Sequence, residues 1–183
     1  MELNLNSTSE KTMFESVATL YEKIGKILTA HCKLNEIAMS KTHAMGYNGF
    51  KRWHRYRSGQ FFEFKLCLAN ELYDRFRISL NLKDYELTYS PVNIEDHLKS
   101  WDSALLNAIQ ELGVLNKECY ELIGTNCSII EKAMHKMMRD YEKVGRFLKR
   151  FTESDWLTLD MHIVDDKLHC KYKRKEEKNG FHR

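Results

Sequence analysis

Proline occurs once in the 183 residues and glycine eight times. That scarcity excludes a collagen, a proline-rich linker chain and a β-sandwich, which all need frequent turn residues. No stretch approaches the roughly 18 to 20 consecutive apolar residues of a bilayer span, and MELNLNSTSEK lacks the apolar core of a secretory signal. The expectation is a cytoplasmic chain with no membrane partner. The five cysteines are odd in number and form no C-x-x-C pair, so neither a disulfide framework nor a zinc knuckle is indicated. H-E-x-x-H, G-x-x-x-x-G-K-[ST] and G-x-G-x-x-G are all missing, which leaves hydrolase and nucleotide chemistry without support.

What is present is a globular balance of 43% hydrophobic and 30% charged residues, arranged at helical period. Phe14, Val17, Leu20, Ile24, Ile27, Leu28, His31, Leu34 and Ala38 form one apolar stripe and predict a helix over 10–42. A second stripe through Phe50, Trp53, Phe61, Phe64, Leu68, Leu72 and Phe76, interrupted at Arg57, predicts 48–78. Pro91 ends the aperiodic stretch 79–92. Asn93, as an N-cap with Asp96 in the first turn, opens a third helix over 93–123. Gly124 and Asn126 break it, a fourth helix covers 126–152, and 153–165 is read as one further short helix. Four helices this long fit a bundle whose members each run its full length. The long link before Asn93 can travel that length and set helices two and three side by side in the same direction. The expected fold is therefore all-α, a ferritin-like four-helix bundle with a long B–C crossover.

Charge is uneven. Residues 167–183 carry seven basic and two acidic side chains, or +5, whereas residues 1–166 sum to −2. This divides the chain into a bundle, 1–166, and a mobile basic C-terminal tail, 167–183, whose sequence KYKRKEEKNGFHR lacks apolar periodicity. Lys171, Lys173, Arg174 and Lys175 in that tail are candidate DNA phosphate contacts; solubility is the plainer role for such a run.

The usual chemistry of a ferritin-like bundle is an internal di-iron site built from inward Glu residues and two Glu-x-x-His pairs. Glu-x-x-His is absent here, and Phe61 and Phe64 stand where helix two faces the interior. A metal site inside the bundle is not expected. His31 with Cys32, and Glu131 with His135, read as isolated pairs explained by packing.

Ser40 to His54, SKTHAMGYNGFKRWH, resembles the segment between helices A and B of the Dps proteins, small ferritins that protect DNA during starvation. His43, Asn48, Phe50 and His54 follow the family's order, although the family's Trp is missing and the two histidines are one residue closer together. Tyr89–Trp101 is similar to the start of helix C in that family, and Met138–Phe151 to the end of its helix D. The resemblance implies a homo-oligomeric shell, a dodecamer, that oxidises and sequesters non-heme iron with peroxide or oxygen, binds DNA and associates with the nucleoid. It implies iron sites between subunits, with two histidines from one subunit and an Asp and a Glu of helix B from the other. Counting from His43 by the family's spacing reaches Asn70 and Asp74; counting from His54 reaches Ala69 and Tyr73. Glu71 and Asp74, at i, i+3, share a helix face, so His43, His54, Glu71 and Asp74 form the candidate metal set. Against it, Arg52, Arg55 and Arg57 surround His54 with positive charge. The alternative is a ferritin-like bundle without a metal site, acting as a structural or interaction protein.

Overall fold

The computed structural model describes residues 8–80, 87–153 and 157–178. Five helices account for most of them: α1, Thr8–Ala44; α2, Asn48–Phe76; α3, Ile94–Ile123; α4, Ser128–Glu153; and α5, Leu157–Lys178. The first four match the expected stripes to within two residues at each end. The Asn93 side chain accepts from the Asp96 amide at 2.9 Å, as the capping argument requires, and Gly124 closes α3 with φ 73°.

Side-chain pairs fix the directions. Cys32 meets Ser58 and Tyr21 meets Glu71, so α2 runs antiparallel to α1. His31 packs on Trp101 and Lys23 pairs with Glu118, so α3 also runs antiparallel to α1. Helices α2 and α3 are therefore parallel, and their N-terminal parts meet where Phe50 and His54 touch His97. Phe147 lies against Phe50 and Trp53 while Asp140 reaches Arg57, which makes α4 antiparallel to α2. The link from Arg77 to Asn93 carries the lengthwise crossover, with Ile78 and Leu80 against the core and Tyr89 buried; its residues 81–86 lie outside the described residues.

The fifth helix departs from expectation. Instead of a short helix followed by a mobile tail, the chain stays helical through Lys178. Met161, Val164, Leu168 and Tyr172 recur at steps of three and four, all buried, and that stripe seats α5 along α2 beside α4. The lysines between these positions obscure the stripe in the sequence. Residues 179–183, the end of the expected tail, and 154–156 lie outside the described residues.

Docking of α5 depends on one close approach. A Cβ at Gly49 would lie 1.8 Å from the Asp165 carbonyl oxygen, so only glycine admits the α5 backbone here. Tyr47, the N-cap of α2, gives no side-chain cap. Asp165 supplies one from α5, its Oδ1 accepting the Phe50 amide at 2.8 Å, which satisfies an otherwise orphaned donor of the first turn.

Candidate functional site

The interior of the bundle, near the N-termini of α2 and α3, holds a chain of buried polar side chains drawn from three helices and the crossover. On α1, Asn35 donates from Nδ2 to the His31 carbonyl at 2.8 Å, which turns its Oδ1 toward α2. His54 places Nδ1 3.1 Å from that oxygen and Nε2 3.1 Å from His97 Nε2. Tyr89 sets its hydroxyl 2.7 Å from His97 Nδ1. One assignment of protons satisfies the run from Tyr89 to Asn35, with the Tyr89 hydroxyl also 3.2 Å from the His97 carbonyl. His54 Nδ1–H donates to Asn35, His97 Nε2–H donates to His54 Nε2, and Tyr89 O–H donates to His97 Nδ1. Both imidazoles are then neutral. Burial, ahead of any neighbouring charge, depresses both: His97 falls to about 4 and His54 lies well below the usual imidazole range. Trp101 closes the cluster, its ring 4.5 Å from His54 and 6.1 Å from His97.

His31 also packs on Trp101, 5.3 Å away, and edge-on to Phe61 at 4.5 Å. Its Nε2 is buried without a hydrogen-bond partner, and burial holds it at about 3. It too is neutral.

One helical turn along α2, Arg57 is buried and clamps Asp140 of α4 with both ends of its fork, Nε to Oδ2 at 2.5 Å and Nη2 to Oδ1 at 2.6 Å. Its Nη1 donates to Gln60. The arginine that interrupts the α2 stripe thus has a buried carboxylate as partner, as an enclosed charge requires.

The residues implicated by the sequence are separated. His43 is exposed at the end of α1, with Nδ1 3.2 Å from Asn48 Oδ1. His54 is fully buried with both ring nitrogens engaged. Glu71 accepts from the Tyr21 hydroxyl at 3.0 Å and from Arg75 at 3.2 Å, and Asp74 is exposed nearby. Among the described residues, no three His, Cys, Asp or Glu side chains converge as a metal site would need. The donors of this cluster are also unsuited to iron: the ring nitrogens of His54 and His97 are spent on Asn35, Tyr89 and each other, Asp140 is held by Arg57, and the unpaired His31 Nε2 is a single donor. Lys171, Lys173 and Arg174 are exposed on α5, while Lys175 is half-buried over the Tyr56 ring at 4.7 Å.

Sequence reasoning did not identify Asn35, Tyr89, His97 and Asp140 as site residues. His97 carried a signal, since it falls three residues after Ile94 and four before Trp101, inside the apolar stripe of α3. Asp140 had a weaker one, three residues after Met137 and four before Val144.

No protein-family model matches the chain, and no curated protein matches it. Among solved structures it is similar to an open pore ferritin from the hyperthermophilic archaeon Archaeoglobus fulgidus, with a TM-score of 0.67 over 86% of this chain and 94% of that one at 10% identity. At that identity the likeness is one of fold, and with the parallel α2 and α3 it establishes a ferritin-like four-helix bundle.

Proposed function

We propose that the chain is a ferritin-like bundle whose metal centre has been replaced by a hydrogen-bonded core, and that it works as a self-associating structural or interaction protein. The observation that carries this reading is the closed run Tyr89–His97–His54–Asn35, which uses every ring nitrogen of the two histidines. Its partner is a second copy: Phe62, Leu66 and Tyr73 stand 48%, 48% and 52% exposed along the outer side of α2, an apolar strip of the kind that marks association surfaces. Loading with ferrous iron in air tests the core. Bound iron well below one atom per chain and no ferric absorbance are expected. Stoichiometric iron with an absorbance that His54→Ala abolishes would overturn the reading.

A second reading, a Dps-like dodecamer in the cytoplasm that oxidises iron at His43, His54, Glu71 and Asp74 and holds DNA through Lys171, Lys173, Arg174 and Lys175, is favoured by one observation. His43 is exposed at the end of α1, beside the start of α2 at Asn48, and Asp74 is exposed near the end of α2, so two copies pairing α2 in antiparallel fashion would bring them together. It requires His54 to leave the core. A twelve-subunit particle on a sizing column, with peroxide-dependent ferric absorbance lost in Asp74→Ala, would establish it; a dimer would count against it.

A further inference from the structure

Three ammonium groups gather around one buried ring where α4 and α5 meet over α2. The Tyr172 ring centroid lies 5.5 Å from Lys143 Nζ, 5.4 Å from Lys175 Nζ and 5.9 Å from Lys171 Nζ. Lys143 also stands 4.7 Å over Trp53 and donates to the Tyr172 hydroxyl at 3.2 Å. Ring faces attract cations but do not neutralise them. The carboxylate within reach, Asp140, has both oxygens taken by Arg57, so among the described residues the three lysines make no ion pair of their own. The wider surface adds more of the same sign: Lys132, Lys136, Arg139, Lys143, Arg146 and Arg150 follow α4 at steps of four and three. Burial first, then the charges of Arg57, Lys171 and Lys175, hold Lys143 down to about 8, with Asp140 opposing.

We propose that Lys143, Lys171 and Lys175, converging on Tyr172, form a binding site for a phosphate group. Three rotatable ammoniums within 5.9 Å of one ring centroid suit a compact oxyanion with several acceptor oxygens, and each binds it as a point charge. Tyr172 and Trp53 wall the site and raise the strength of each charge pair by excluding water. The free phosphate ion and the phosphate of a nucleic-acid strand present the same chemistry to it. The site holds under either reading of the bundle, since it uses none of the interior histidines.

The test is calorimetric titration of the full chain with sodium phosphate, against sodium chloride at matched ionic strength. Saturable phosphate binding is expected, weakened at least tenfold by Lys143→Met and by Lys175→Met. Lys117→Met, which removes the same charge from an exposed position on α3, should leave affinity unchanged. Lys175 is the more exposed of the two test positions, so its variant keeps the test valid if Lys143→Met does not fold. A single-stranded oligonucleotide that displaces phosphate would identify a nucleic-acid phosphate as the occupant, and failure to displace it would identify the free ion. Either result retains the site. No phosphate heat beyond the chloride control, or equal losses in Lys117→Met and Lys175→Met, would overturn the proposal.

Discussion

His54 and His97 point Nε2 at Nε2 across 3.1 Å, and the bond between them exists only while at least one of the two rings is neutral. Protonation of both rings would set one N–H against the other, and the run from Tyr89 to Asn35 would break in the middle.

Acid should therefore unfold the protein early. His31 and His97 are depressed to about 3 and about 4, and His54 well below its ordinary value of 6.5. The unfolded chain binds more protons than the native one below about pH 6.5, so stability is complete above that pH and falls as pH drops toward the native values. Each histidine contributes up to about 1.4 kcal/mol per pH unit in that window, and all three together up to about 4. Urea denaturation at pH 7.5, 6.0 and 5.0 measures the slope; a flat profile between 6.5 and 5 would refute the neutral assignment.

Tyr89→Phe removes the hydroxyl that donates to His97 Nδ1. The loss should be about 1–3 kcal/mol, the cost of leaving a buried acceptor unpaired. The midpoint of urea unfolding reads it, and a change below about 0.5 kcal/mol would mean that water replaces the hydroxyl.

Arg57→Met strands the Asp140 carboxylate at 2% exposure. A destabilisation of about 3–5 kcal/mol is expected, with most of it recovered in Arg57→Met/Asp140→Leu, because an apolar pair of similar size replaces a buried ion pair at little cost. The double-mutant cycle is decisive: simple additivity of the two single losses would show that the residues act independently.

Gly49→Ala forces a methyl group into the Asp165 carbonyl, 1.8 Å away. It should lift α5 from α2 and uncap the Phe50 amide. Limited proteolysis should then cut α5 well before the bundle, and faster than it cuts α5 in the unaltered chain. Equal protection in the variant would place the α5 contact elsewhere.

The sequence and the structure agree most closely where structure is set locally. The stripes of α1 to α4, the Asn93 cap and the Gly124 stop need only residues within one helix or turn, and the crossover follows from the length of one link. Agreement fails where partners are far apart. His54 and His97 are 43 residues apart and Arg57 and Asp140 are 83 apart, and nothing near either residue announces the other. His54 appeared as a surface ligand for this reason. Its polar neighbours in sequence point outward, whereas its partners come from α1 and α3. The hidden stripe of α5 failed differently: Met161, Val164, Leu168 and Tyr172 have the correct period, but the charge count of the segment outweighed it.

The cap that Asp165 places on Phe50 spans 115 residues, and this bears on synthesis. At about 5–20 residues per second, the opening turn of the second rod emerges about 6–23 s before the carboxylate that completes it. Through that interval the newborn polypeptide keeps a frayed edge, and a chaperone that recognises frayed ends would find its footing there.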